Sequence, residues 1–125
     1  VLFRSFQGGF PRSTLPNIRR GPINSWTEEA GHSEILALDP RTGQQKWSFP
    51  MHDVSDAGIL TTATDLLFTG SREGYFYAFD ARSGKELWRN TTGGHIAATP
   101  ISYQVNGKQY IAIAAGHSLF VFGLR

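Results

Sequence analysis

The stretch AFDARSGKELW, residues 78–88, has a near copy in ALDPRTGQQKW, residues 37–47. Aligning the two puts Asp39 on Asp80, Gly43 on Gly84 and Trp47 on Trp88, a spacing of 41 residues. A period of about 40–50 residues belongs both to propeller blades and to helical solenoids, so the local pattern has to choose. YFYAF at residues 75–79 and LLFTG at 66–70 are apolar runs of strand length, bounded by Gly, Asp and Ser. No stretch sustains an apolar period of 3.6 residues. The repeat therefore reads as strand, turn and returning strand. The chain reads as all-β, a partial β-propeller of about two and a half four-stranded blades.

Each letter of the repeat has a mechanical job. Asp39 and Asp80 leave a strand where a carboxylate can accept backbone N–H groups across a turn. Thr42 and Ser83 can cap that turn, and Gly43 and Gly84 can take the positive φ of the reversal. The returning strand then brings Trp47 or Trp88 to a fixed distance. Burying an indole is worth about 2–3 kcal/mol, so a tryptophan in every blade would join it to its neighbour. Asp39, Gly43, Trp47, Asp80, Gly84 and Trp88 form the expected structural docking set.

On this reading residues 34–50 hold the last two strands of one blade, near 34–39 and 45–49. Residues 51–92 are a complete penultimate blade, with strands near 59–63, 66–71, 75–80 and 86–90. Residues 93–125 are a final blade with strands near 97–103, 109–114 and 118–123, lacking its outer strand. In a closed ring that strand can come from the far N-terminus, so Arg125 is expected to be a natural C-terminus and Val1 a truncation point. Residues 1–33, rich in Gly, Pro and Arg without a clear period, read as a loop-rich excursion of the preceding blade. Trp26 lies within it, as an anchor or a satellite packing residue.

Composition agrees and narrows the function. The 14 glycines and 13% aromatic residues suit short strands joined by tight turns. No window of eighteen residues is apolar throughout, so no membrane span is expected. The net charge of +2 sits in residues 1–33, where four arginines face two glutamates. Scattered arginines make a solvated surface rather than the clustered basic face that nucleic acid needs. Without cysteine there is no disulfide, thiolate metal site or Cys nucleophile.

With the repeats in place, a family resemblance can be named. AFDARSGKELW fits every position of A-x-D-x-x-[TS]-G-K-x-x-W, which looks like the tryptophan-docking motif of the pyrroloquinoline quinone (PQQ) dehydrogenase propellers; ALDPRTGQQKW departs only with Gln44 for Lys. GILTTATDLLFTGSREGYFYAFD resembles the penultimate blade of the methanol/ethanol dehydrogenase class, and PISYQVNGKQYIAIAAGHSLFVFGL resembles its final blade. The resemblance covers about residues 35–125.

It implies an eight-bladed propeller of several hundred residues that oxidises a small alcohol by hydride transfer to PQQ, with Ca²⁺ or a lanthanide polarising the quinone. It further implies a periplasmic bacterial protein, a cytochrome c as electron acceptor, and the remaining blades of the same chain as partners. The family's metal ligands, catalytic aspartate and quinone arginine lie on earlier blades, so neither a catalytic nor a metal residue is expected here. This stretch by itself is expected to be inactive. Relatives carry a Trp-Gly-Gly or Trp-Ala-Gly turn near the cofactor. Asp56, Ala57 and Gly58 stand at that place, which makes them the cofactor-binding candidates, through backbone or carboxylate rather than an indole ring. The tryptophan-bearing loop of the methanol-oxidising type is absent from AAGHSLF.

Other groups read more plainly. His32, His52, His95 and His117 lack His-x-His or HExxH spacing and read as surface or turn residues, His52 and His95 near inner-rim loops. Asp53 and Asp56 read as a solvated pair rather than a cation site or acid–base couple. Asn90-Thr91-Thr92 matches a glycosylation sequon that is common by chance. A second function class stays open: a non-catalytic propeller of the same repeat that serves as a protein-interaction scaffold, such as an outer-membrane assembly factor. Upstream metal ligands, a catalytic Asp and a quinone Arg would separate the two.

Overall fold

A computed structural model describes residues 2–7, 33–52 and 55–123. Among them every regular element is a strand, and the strands form three antiparallel sheets. The first sheet has the order β1 (Leu2–Gln7), β2 (Ser33–Leu38), β3 (Gln45–Met51). The second holds β4 (Leu60–Thr61), β5 (Leu66–Gly70), β6 (Tyr75–Asp80) and β7 (Glu86–Thr91) in chain order. The third is β8 (Ile101–Val105), β9 (Lys108–Ala115) and β10 (Ser118–Gly123), with β9 central.

β1 is an addition to the sequence reading, which placed no strand inside residues 1–33. LFRSFQ has no clean alternation of apolar and polar residues. Its extended state is carried by pairing, Leu2 opposite Leu38 through Gln7 opposite Ser33, and a strand's preference depends on what it lies beside. Residues 8–32, with Trp26 and His32, lie outside the described residues, as do Asp53 and Val54. The remaining strand positions follow the expected runs, except that β4 keeps only Leu60–Thr61 of the expected 59–63 and β8 starts at Ile101 rather than 97. Pro100, which has no N–H to give to a ladder, precedes that start.

The sheets stack face to face because the central strands of the second sheet, LLFTG and YFYAFD, are apolar and buried on both sides. From the second sheet, Leu67, Tyr77 and Phe79 meet Ile35, Met51, Trp47 and Phe49 of the first. Its opposite face presents Phe68, Phe76 and Ala78 to Ile111, Ile113, Ala115, Phe120 and Phe122 of the third. Rings join edge to face across both seams, Phe49 to Phe79 at 4.7 Å and Trp88 to Phe122 at 5.3 Å. Phe76, Phe79, Leu67, Ile111 and Ile113 are almost wholly buried, each worth roughly 1.5–3 kcal/mol of transfer free energy. Three twisted four- or three-stranded sheets stacked in chain order make a partial β-propeller.

The two repeat turns have the same wiring. Asp39 and Asp80 each donate their N–H to a carbonyl five residues on, Gln44 and Lys85, at 2.8 and 2.9 Å. Their own carbonyls accept from the N–H of Gly43 and Gly84, at 2.7 and 2.8 Å. Asp80 Oδ1 also accepts from the backbone N–H of Arg82 and Ser83 and from the Ser83 hydroxyl, at 3.0, 2.8 and 2.8 Å. Asp39 Oδ1 accepts from Arg41 N–H at 2.9 Å, and Lys46 lies 3.5 Å from its other oxygen. These donors favour the ionised form, so both carboxyls are held below the usual aspartate range, Asp80 chiefly by Ser83 N–H and Asp39 chiefly by Arg41 N–H. Gly43 and Gly84 sit at φ +71° and +73°.

Trp47 crosses from the first sheet to the second. Its Nε1–H donates to the carbonyl of Ala81 at 3.0 Å, inside the second turn. The ring lies on Gly84 so closely that a Cβ there would be 2.6 Å from Cδ2 and Cε3. Glycine is thus required twice at that position, for its φ and for the ring.

Candidate functional site at the loop end of the sheets

Because the strands run antiparallel in chain order, the β3–β4, β5–β6, β7–β8 and β9–β10 connections gather at one end of the stack. Hydrogen bonds tie them together. Ser55 Oγ donates to the Gly70 carbonyl at 2.9 Å, Ile96 N–H to Ser71 at 3.2 Å, Thr92 Oγ1 to Gly74 at 2.8 Å, and Gly116 N–H to His95 at 2.8 Å. Side chains also fix the loops. Ile96 is fully buried and presses on Gly70, leaving no room for a Cβ there.

The sequence candidates Asp56, Ala57 and Gly58 lie in the β3–β4 loop, just ahead of β4, the free edge strand of the second sheet. Ala57 is buried, and its N–H faces Ser55 Oγ at 3.4 Å. The Gly58 carbonyl accepts the Thr69 hydroxyl at 3.1 Å, and a Cβ at Gly58 would collide with the Thr99 side chain. Those two residues spend their polar atoms and their space on neighbours in the fold. Asp56 differs: its side chain is 46% exposed.

His95 joins Asp56 at this end, from the β7–β8 loop ahead of β8. Its Nε2 lies 3.8 Å from Asp56 Oδ2, is buried, and has no hydrogen-bond partner among the described residues. Nothing in the spacing of the two residues signals this pairing, since they are far apart in the chain and meet only because both loops enter edge strands of adjacent sheets. His52 and His117 are exposed at the ends of β3 and β9. Asp53, the other half of the sequence-level carboxylate pair, lies outside the described residues. Asn90 is exposed on β7.

The fit to a quinone and its metal can be judged from these groups. Among the described residues no group of three or more His, Cys, Asp or Glu converges, so this chain's described part offers no complete ligand set for an ion. What it offers at the loop end is a rim: the Asp56 carboxylate beside the His95 imidazole, with His52, Arg72, Glu73 and His117 on the neighbouring connections and closely packed glycine backbone. That rim fits part of the surroundings of a bound organic group. Among the described residues no helix is long and apolar enough to cross a membrane.

Comparison with known proteins gives this geometry its family. Residues 50–111 match the family model described as glucose/ethanol/alcohol dehydrogenase, beta-propeller domain, of the PQQ type. The chain is 46% identical over 83 residues to a quinoprotein ethanol dehydrogenase of Pseudomonas aeruginosa, which spans 66% of this chain and 13% of that protein. Among solved structures it is similar to the quinohemoprotein alcohol dehydrogenase from Pseudomonas putida HK5, with TM-score 0.67 and 31% identity, covering 74% of this chain and 14% of that one. A europium-containing methanol dehydrogenase is similar with TM-score 0.63 and 32% identity, covering 65% and 14%. The chain thus spans about a seventh or less of the proteins that it matches. Over the stretch they share, it belongs to the family of quinoprotein alcohol dehydrogenase β-propellers.

Proposed function

We propose that this chain is a blade-bearing sector of a PQQ-dependent dehydrogenase that oxidises small alcohols, with a metal ion, Ca²⁺ or a lanthanide, held mainly by residues of other blades. The observation that carries the reading is the 46% identity over 83 residues to a quinoprotein ethanol dehydrogenase. When bound, the quinone supplies the two-electron acceptor for hydride leaving the alcohol carbon.

The chain's own contribution is mechanical and positional. Trp47, Gly84 and Asp80 dock one blade onto the next, and Trp88 meets the blade after it edge to face at the ring of Phe122. The loops at the other end are thereby held in a fixed relation to one another. Ala57 and Gly58 anchor the β3–β4 loop, and Asp56 on the same loop would be the side chain that contacts a bound quinone. A periplasmic location and transfer of electrons to a cytochrome c follow from the same family reading.

The test is reconstitution. The complete protein that carries this segment, prepared without cofactor, is loaded with PQQ and either Ca²⁺ or La³⁺ and given ethanol with a phenazine dye as acceptor. Dye reduction that needs quinone, metal and alcohol together is the expected result. A protein that folds but neither retains PQQ nor reduces the dye with any primary alcohol would overturn the reading.

A further inference from the structure

His95 Nε2 is a buried nitrogen with no hydrogen bond among the described residues, 3.8 Å from Asp56 Oδ2. Leaving such an atom unpaired costs about 1–3 kcal/mol, so its position calls for a reason. Both residues are held from behind. Asp56 lies between Ser55, which is tied to Gly70, and Ala57, which is buried. The carbonyl of His95 accepts from Gly116, and the next residue, Ile96, is wedged against Gly70. Two rigid loops from adjacent sheets therefore aim an imidazole nitrogen at a carboxylate. The imidazole keeps 37% of its side-chain surface exposed while Nε2 is covered, which leaves the Nδ1 side of the ring towards the open end.

We propose that His95 and Asp56 form a dyad that binds a hydroxyl group at the loop end of the sheets. Asp56 accepts a hydrogen bond from Nε2–H, which a small side-chain rotation brings within bonding distance. That fixes the neutral tautomer whose Nδ1 carries a lone pair. Nδ1 then accepts a hydrogen bond from an O–H donor. An anion is excluded as ligand, because it would face both that lone pair and the Asp56 carboxylate. The ligand class is a small hydroxyl compound, either the alcohol or a bound water. No proton is transferred in this role; His95 orients the hydroxyl and Asp56 orients His95. The placement beside a cofactor rests on the quinoprotein reading, but the tautomer does not.

The experiment uses the complete protein that carries this segment, loaded with PQQ and metal and labelled with ¹⁵N in its histidine rings. Comparison with His95→Gln identifies the His95 signals. Near neutral pH, His95 is expected to show a protonated Nε2 and an unprotonated, hydrogen-bonded Nδ1, and Asp56→Asn to mix the tautomers. If the alcohol is the donor, saturating ethanol shifts the Nδ1 signal, and His95→Gln raises the KM for ethanol about three- to tenfold with a smaller change in kcat. If water is the donor, Nδ1 is hydrogen-bonded but unmoved by ethanol, and KM is unchanged. A proton on Nδ1 with a bare Nε2, or a tautomer indifferent to Asp56→Asn, overturns the dyad. Failure of the quinoprotein reading shows separately, as loss of PQQ retention and of ethanol turnover in the unsubstituted protein. The tautomer itself is read in the unsubstituted protein, and where His95→Gln does not fold, His95→Asn serves to identify the His95 signals.

Discussion

Gly84→Ala and Gly43→Ala put the same methyl group into the same turn, and they should differ greatly in cost. Both glycines have φ near +70°, where an L side chain is strained by roughly 1–2 kcal/mol. Alanine recovers about 0.4–1 kcal/mol of that by restricting the unfolded chain. Among the described residues a Cβ at Gly43 meets nothing within 4 Å, so Gly43→Ala should cost about 0.5–1 kcal/mol net. At Gly84 the Cβ would lie 2.6 Å from two atoms of the Trp47 ring, and pushing that ring off its seat adds about 1–3 kcal/mol. The shift also lengthens the 3.0 Å bond from Trp47 Nε1 to Ala81. Urea denaturation followed by far-UV circular dichroism gives the two values on one scale. Combining Gly84→Ala with Trp47→Ala should shrink the Gly84 cost to that of Gly43, because the obstructing ring is gone. Equal costs for the two single variants, within about 0.5 kcal/mol, would refute the claim that the Trp47 ring occupies the space over Gly84.

The remaining predictions concern charge and the outer face. The Asp80 carboxyl titrates below its unfolded value, so its contribution to stability is present above the unfolded pKa and is lost as pH falls through the folded one. Asp80→Ala should therefore lower stability near neutral pH and flatten the loss of stability between about pH 5 and pH 2, read from melting temperatures across that range; an unchanged acid slope would refute this. On the third sheet Leu119, Val121 and Ile101 share one face and are 70, 48 and 58% exposed. An apolar face of this kind drives association. The 125-residue chain is expected to sediment as oligomers, and Leu119→Lys with Val121→Lys to shift it towards monomer. A chain that is monomeric at high concentration without those changes would contradict the expectation.

The fold class was legible because the informative residues act locally. Asp80, Ser83 and Gly84 bond within one turn, and a spacing of a few residues is enough to anticipate that geometry. YFYAFD and LLFTG have no other reading at their length and composition. β1 was not legible, because LFRSFQ has no alternation and becomes a strand only beside Ser33–Leu38. The candidate site divides the same way. Asp56, Ala57 and Gly58 could be picked out through the resemblance to a turn that relatives carry near the cofactor, but not the difference among them, since burial of Ala57 and the Thr99 contact of Gly58 are tertiary facts. His95 read as an ordinary turn residue, because its pairing with Asp56 depends on how two sheets are stacked.

The contact of Trp47 with the second turn gives the stack a polarity. At the seam between the first and second sheets the tryptophan side of one meets the turn side of the next, so that joint is heterologous, with unlike surfaces in contact. Gly43 marks the turn side of the first sheet and Trp88, 41% exposed, the tryptophan side of the second. A series built from such joints carries a mismatched pair of ends at every length, and only a rotation that adds up to a full circle cancels them. Tandem duplication of a 41-residue segment adds a sheet without redesigning either neighbour, since it brings its own plug and its own socket. Blade number in this architecture is thus set by the angle between adjacent sheets, and the residues of the joint leave it free to vary.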